Sequence, residues 1–464
     1  MSEHRPEPSP SAAGLTYAEA LRAIEARGRY GIRLGLGRVR ALLRALDDPQ
    51  RSVRGALVGG TNGKGSVIAL ASSALRAAGY RVGETPKPHL VTYRERIVVD
   101  GRPIAADAFA RLVAEVLPLA DRIAPRLGPP TEFELLTAVM FRHFATAGLD
   151  AALVEVGLGG RLDATHAWDG GVAVVTNVDL DHMDRLGSTI EAIAREKAAI
   201  IERADIAVTG AAGEALAIIR RRCARLGVPL TEVTPPPVLG WGRDGLRVDL
   251  PRLGAVDVGL RGRHQAVNVA VADALLDGLE AAGIASVPAD ARRRGYATAR
   301  WPGRLELLDV SLADGSRREV LLDGAHNPSG AAALAQALDD LRPYLAGGTD
   351  RPTAPLTLVW ATMADKDVPG VIAAASRARA LAGATIVCTA LDLPRALPAA
   401  ALADAWRAAL PGARVEVVPD PAAALERALA AASGPVVVAG SLYLVGAARA
   451  RLVDDPALRD PVAA

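Results

Sequence analysis

Ala56-Leu57-Val58-Gly59-Gly60-Thr61-Asn62-Gly63-Lys64-Gly65-Ser66-Val67-Ile68 decides the fold class of this chain. A short apolar run ends in four glycines, one lysine and two hydroxyls; apolar residues then continue to Ala78, where Gly79 offers a C-cap. Strand, glycine loop and helix in that order turn successive backbone N–H groups toward a polyphosphate at the helix N-terminus. Lys64 is placed to reach the outer phosphates and Ser66 to meet an accompanying Mg²⁺. The ordinary Walker pattern has Gly six residues before its Lys and Ser or Thr directly after it. Here those positions are Val58 and Gly65, so a plain glycine-rich turn stands beside the phosphate-loop reading.

At 464 residues the chain exceeds one ordinary hydrophobic core, and two or three domains are expected. Half of the residues are hydrophobic and 23% are charged, a globular balance. A formal net charge of +2 points to neither a nucleic acid nor an acidic membrane surface. Cys223 and Cys388 are too few for a disulfide framework or a thiolate metal site, so a cytoplasmic setting is expected. Residues 1–14 read as a disordered tail without the apolar core of a signal peptide, and no run of about 20 apolar residues offers a membrane span.

Around the glycine loop, Thr16 and Glu19 form a possible capping box, and Val39, Leu42, Leu43 and Leu46 mark a second helix. Residues 80–90 read as irregular, and Ile97-Val98-Val99-Asp100-Gly101 as a hairpin arm with an Asp-Gly turn. Two buried-looking strands, 151–156 and 172–177, run straight into polar loops around Glu155 to Asp163 and Asn177 to His182. In parallel α/β sheets such loops at strand C-termini are where ligands bind. Trp301-Pro302-Gly303-Arg304 breaks the pattern and marks a junction. Beyond it, strands at 319–323, 356–361, 384–389, 414–418 and 435–439 alternate with helices, a smaller α/β sheet.

Glu155 lies inside an otherwise apolar strand, where an unpaired carboxylate is costly; a metal ion or a cation would relieve it, the plain alternative being an arginine such as Arg161. His182 follows a strand end, where a lone histidine is ordinarily just hydrogen-bonded. Lys197 is by default a helix-surface charge. With no Cys or His cluster, sparse oxygen ligation suits Mg²⁺ better than zinc. Asn268, Arg304, Asp323 and His326 are weak signals singly, and Asp323 is equally a helix cap, as Ser441-Leu442-Tyr443 is a helix start.

Taken together and in order, these runs resemble the folylpolyglutamate synthase / dihydrofolate synthase branch of the Mur ligase family. The matching segments are 60–66, 155–165, 180–183, 195–198, 264–268, 301–306, 323–328 and 441–446. The resemblance implies a P-loop-type Mur ligase central domain over residues 15–300, followed by a smaller Rossmann-like α/β C-terminal domain over 301–464. It implies an ATP-dependent amide ligase that phosphorylates a pterin-linked carboxylate and joins it to L-glutamate. The acceptor is dihydropteroate, a reduced folate, or both, and the enzyme is expected to be a monomer. By the same resemblance Thr61, Asn62, Gly63, Lys64, Gly65 and Ser66 hold ATP together with Asn268, Arg304, Asp323 and His326. Ser66, Glu155 and His182 serve Mg²⁺; Lys64, His182 and Lys197 are catalytic, with Lys197 a candidate for carbamylation. Thr131, Glu132, Phe133, Glu134, Leu162, Asp163 and Ala164 fall where pteroate is contacted.

The chain departs from the family pattern at a few places. Pro86-Lys87-Pro88-His89-Leu90 stands where Thr-Ser-Pro-His-Leu is usual, and Lys cannot supply a neutral oxygen ligand. Lys87 either offsets phosphate charge or marks a displaced loop. His166 replaces an Asn, Asp179 a Gly or Ala, and Ala199 a Gly. Two rival readings remain open: a ligase for another carboxylate substrate, and an ATPase that joins nothing.

Overall fold

The computed structural model describes residues 14–31, 33–312, 314–345 and 354–461. Residues 1–13 of the expected tail lie outside the described residues. β1 (Gly55–Gly59), β2 (Val82–Thr85), β3 (Val98–Val99), β4 (Arg102–Pro103), β5 (Ala151–Glu155), β6 (Gly171–Val175), β7 (Ile206–Thr209) and β8 (Leu230–Glu232) form one sheet. Its order is β4-β3-β2-β5-β1-β6-β7-β8. The pairings from β2 to β8 are parallel, whereas β3 and β4 join antiparallel at the edge. The two edge strands make the hairpin expected from Asp100-Gly101, both with positive φ (52° and 76°).

β1 and β5 are buried at every position because the sheet is covered on both faces. Helices Lys64–Ala77, Gln265–Ala281 and Ala289–Thr298 pack on one side. Tyr17–Glu25, Gly37–Ala45, Ala106–Leu127 and Glu132–Thr146 cover the other. The strand order places β1 between β5 and β6, with Val58 opposite Glu155 and Gly59 opposite Val175. The loops after these three strands therefore open at one edge.

β9 (Val238–Gly242), β10 (Gly245–Leu250) and β11 (Gly254–Val258) form a small antiparallel sheet. β12 (Glu306–Ser311), β13 (Arg317–Leu322), β14 (Thr357–Trp360), β15 (Thr385–Cys388), β16 (Arg414–Val417) and β17 (Val436–Ala439) form the last sheet, in the order β12-β13-β17-β14-β15-β16. Its strands are parallel except for β12, which runs antiparallel to β13.

Two elements differ from the sequence expectation. Residues 82–85, read as irregular, are β2: Glu84 is tolerated inside the sheet because Arg76 pairs with it. β12 was not expected, since this edge strand is only partly buried and carries Glu306, Asp309 and Ser311 among its apolar residues. Among the described residues no helix is long and apolar enough to cross a membrane.

The second sheet's last helix, Leu442–Leu452, seats Gly446 directly on the backbone of Leu90. A Cβ at Gly446 would lie 2.0 Å from the Leu90 carbonyl oxygen. Gly446→Ala is therefore expected to destabilise the protein by about 1–3 kcal/mol through overpacking, read as a lower denaturant midpoint. The chain end returns to the first sheet's side, where Arg94 donates to the carbonyls of Ala457 (2.9 Å) and Arg459 (2.8 Å).

Candidate active site

The glycine loop leaves β1 at Gly59 and enters helix Lys64–Ala77 with Gly63 at its N-cap, φ 82°. A Cβ at Gly60 would fall 1.9 Å from Thr176 Oγ1, and one at Gly63 would fall 2.4 Å from Asn268 Oδ1. The loop is held from β6: Asn62 N donates to Asn177 Oδ1 (2.8 Å), and Thr176 Oγ1 donates to the Asn62 carbonyl (2.6 Å). Ser66 Oγ accepts from Gln265 Nε2 at 3.3 Å, and Gln265 Oε1 accepts from Asn268 Nδ2 at 2.8 Å. His264 to Asn268 thus back the loop.

Three lysines meet there. Lys64 Nζ donates to the carbonyls of Gly60 (3.1 Å) and Thr61 (3.0 Å) and stands 4.0 Å from Glu155 Oε1. Lys197 Nζ donates to the same Gly60 carbonyl at 2.9 Å. Lys87 donates its backbone N–H to Glu155 Oε2 (3.0 Å) and its ammonium to the Glu155 carbonyl (2.5 Å), 4.7 Å from the centre of the Phe133 ring. Burial lowers all three ammonium groups, Lys87 to about 8 and Lys197 to about 7; Lys64 further lowers Lys197. Burial likewise raises the Glu155 carboxyl, opposed by Lys64 and Lys87. Arg161, the arginine considered for Glu155, pairs instead with Glu196. Lys197 is 5% exposed, not a surface charge.

The last sheet presents its own groups to this edge. Asn327 caps helix Pro328–Leu341 and donates Nδ2 to Asp181 Oδ2 (3.0 Å) and Asn62 Oδ1 (3.2 Å). Asn62 Nδ2 donates to Ser329 Oγ at 2.8 Å, and Lys366 Nζ reaches Asp181 Oδ1 at 3.2 Å. Burial would raise the Asp181 carboxyl, but His182, Lys366 and Asn327 hold it well below the usual carboxylate range. Asp323 accepts from the N–H groups of Leu305 and Ala325, each at 2.9 Å, so it fixes the turn around Arg304 and is no helix cap. His326 shares a hydrogen bond with the Gly324 carbonyl (2.8 Å), and burial lowers it to about 4.

Lys366→Ala is expected to cost about 1–2 kcal/mol of stability at pH 7, because it removes the cation that Asp181 faces across the seam. The depressed Asp181 value means this contribution is present above an unfolded value near 3.8 and is lost as pH falls below it. Urea midpoints of the two proteins should therefore differ at pH 7 and converge in acid.

The segments considered for pteroate are placed unevenly. Thr131 and Glu134 close a capping box on helix Glu132–Thr146, and Glu134 also pairs with Arg38 at 2.9 Å. Glu132 accepts from the Tyr93 hydroxyl (3.1 Å), while Phe133 lies under Lys87. Asp163 accepts from the N–H groups of Gly157 (3.1 Å), Leu158 (2.9 Å) and Thr165 (3.0 Å), so it holds its own loop. The Leu162 carbonyl takes the Gly35 N–H at 3.3 Å, and Ala164 is buried. His166 bonds the Arg161 carbonyl (3.0 Å) and approaches Glu202 (3.2 Å).

Sequence reasoning missed Lys366, and Asn177, Gln265 and Asn327 fell inside runs it marked without receiving a role. A signal for Lys366 exists in the composition. The chain has only four lysines among 54 basic residues, Lys64, Lys87, Lys197 and Lys366, and all four lie at this edge. Arginine serves everywhere else.

A divalent cation would find compatible groups here. Glu155 Oε1 receives no hydrogen bond among the described residues, and Ser66 Oγ receives one long bond. His182 has 45% of its side chain exposed. Among the described residues no cluster of three or more His, Cys, Asp or Glu could hold a metal alone. Mg²⁺ ordinarily keeps waters and shares phosphate oxygens, so its binding needs no closed protein cage.

The Mur ligase middle domain matches residues 58–234, and the Mur ligase glutamate ligase domain matches residues 303–442. The chain is 33% identical over 447 residues to the dihydrofolate synthase/folylpolyglutamate synthase of Bacillus subtilis, covering 94% of this chain and 99% of that protein. The folylpolyglutamate synthase of Mycobacterium tuberculosis, solved with ADP and AMPPCP, superposes with a TM-score of 0.81 at 32% identity, covering 95% of this chain and 100% of that one. A bifunctional folylpolyglutamate synthase/dihydrofolate synthase with Mn, AMPPNP and L-glutamate bound gives 0.76 at 29% identity, with 94% and 98% covered.

Proposed function

The chain belongs to the dihydrofolate synthase/folylpolyglutamate synthase family of Mur-type ligases, and on that premise we propose that it adds L-glutamate to dihydropteroate or to the γ-carboxylate of a reduced folate at the expense of ATP. We take residues 15–300 as the nucleotide- and pteroate-binding domain and 301–464 as the glutamate ligase domain. The observation that carries the reading is the seam from Asn62 to Ser329 and Asn327, which sets the phosphate loop against a helix N-terminus of the last sheet. A nucleotide on the loop would be enclosed between the two sheets, and enclosure protects a reactive acyl phosphate from water.

The chemistry follows from the poor electrophilicity of a carboxylate. An acceptor carboxylate oxygen attacks the γ-phosphorus of ATP, and the bond to the β-γ bridging oxygen breaks, leaving ADP and an acyl phosphate. The glutamate amine then attacks the acyl carbon, phosphate departs, and the amine proton is lost as the amide forms. The loop N–H groups and Lys64 stabilise the transferring phosphoryl group. Arg304, Asp323 and His326, with Asn268 behind the loop, shape the nucleotide's other side.

Ser66, Glu155 and His182 are the groups that would hold Mg²⁺, which when bound offsets negative charge on the phosphates. Lys197 suits carbamylation, since burial favours the neutral amine that reacts with CO₂. We place the enzyme in the cytoplasm, where its two buried, free cysteines stay reduced. Hydroxylamine supplied in place of glutamate tests the acyl phosphate: the expected product is the acceptor hydroxamate, formed with one ADP each. ADP release without hydroxamate would rule out that intermediate.

A further inference from the structure

Among the described residues no carboxylate makes an ion pair with the Lys87 ammonium, although Glu155 and Asp163 lie near enough to favour its charge. Its one hydrogen-bond acceptor among the described residues is a neutral carbonyl, that of Glu155 at 2.5 Å, and an aromatic face lies beneath it. The neighbouring carboxylates are already engaged. Glu155 Oε2 takes the backbone N–H of Lys87 itself, and Oε1 faces Lys64. Asp163 spends Oδ2 on the N–H groups of Gly157 and Leu158 and Oδ1 on Thr165. Lys366, by contrast, has Asp181 at 3.2 Å. A half-buried cation with no direct carboxylate partner is costly, so such a group persists where a ligand supplies the opposite charge. The chain makes nearly all its other cations from arginine, so a lysine here is also a specific choice.

The surroundings identify that ligand. Phe133 offers a flat apolar face beside the ammonium, and Glu155 links the position to the phosphate loop through Lys64. A molecule lying on Phe133 with a carboxylate at its end would bring that carboxylate between Lys87 and the loop, where a γ-phosphate is held. We infer that Lys87 is the receptor for the acceptor's reacting carboxylate, selecting carboxylic acids that also carry an aromatic ring and aligning the attacking oxygen with the nucleotide. This rests on the ligase reading above. Lys87 holds the oxygen that becomes the bridging atom of the acyl phosphate, and itself undergoes no covalent change.

The test is binding, measured by calorimetry on the full chain with AMPPNP present. Dihydropteroate and its methyl ester, which carries no carboxylate charge, are titrated into the protein and into Lys87→Met and Lys87→Arg. Lys87→Met is expected to weaken dihydropteroate on the order of a hundredfold, while Lys87→Arg recovers part of that loss. Both variants should bind AMPPNP as the unsubstituted protein does, which verifies the fold, and the ester should bind all three proteins alike. Equal dihydropteroate affinity in Lys87→Met overturns the inference, as does a parallel loss for acid and ester. A changed Mg²⁺ requirement with acceptor affinity unmoved also overturns it, in favour of a charge acting on the phosphates. If the unsubstituted protein binds no dihydropteroate, the ligase reading and this inference fall together.

Discussion

Lys64→Ala is expected to lower kcat by about three orders of magnitude while leaving the chain folded. Lys64 is the one cation in the first turn of the helix that follows the phosphate loop, and its carbonyl contacts at 3.1 and 3.0 Å tie it across the loop mouth. A γ-phosphoryl group in flight carries its charge on peripheral oxygens, where a fixed ammonium in a dry site contributes most. The fold has less at stake. Thr61 and Asn62 are also held by Thr176, Asn177 and Asp179, through bonds that do not involve Lys64. The measurement pairs steady-state ADP release with thermal unfolding. Near-normal turnover in a folded variant would remove Lys64 from the mechanism.

Lys197→Met is expected to lower kcat by about a hundredfold, and the loss should track a covalent change at the amine. Lys197 is 5% exposed and its hydrogen-bond acceptor is a carbonyl already shared with Lys64. Burial, with Lys64 close by, brings its pKa to about 7. Above that pH the amine is mostly neutral and can add CO₂, releasing a proton and converting a cation into a carboxylate. Below it the ammonium cannot react. Carbamate occupancy and turnover should therefore both fall as pH drops through about 7 and recover with added bicarbonate. With ¹³C-bicarbonate the protein should show a carbamate resonance that Lys197→Met lacks. A fully active enzyme without that resonance would leave Lys197 a plain structural amine.

What the sequence disclosed depends on how local each feature is. The phosphate loop was legible because its strand, glycines and helix are consecutive, and burial on both faces makes β1 and β5 continuously apolar. Thr16 and the Asp100-Gly101 turn act within a few residues and behave as their sequence motifs predict. Lys197 misled because a single helix position does not reveal which face is covered; the helix buries it against the glycine loop, 137 residues away. The seam was hidden for the same reason. Asp181 meets Asn327 across 146 residues and Lys366 across 185, and those contacts exist only once the two sheets are docked. The alternating burial of Leu246, Val248 and Leu250 in β10 is a period-two signal that was present and went unused.

The most direct measurement is ADP release by the purified protein with ATP and Mg²⁺, with and without L-glutamate, dihydropteroate and tetrahydrofolate, and with the mass of any product. A ligase that adds glutamate to these acceptors should release ADP in step with product, need both glutamate and one acceptor, and yield an acceptor heavier by one glutamyl residue. ADP release that ignores both glutamate and acceptor would contradict the account and make the protein an ATPase that joins nothing.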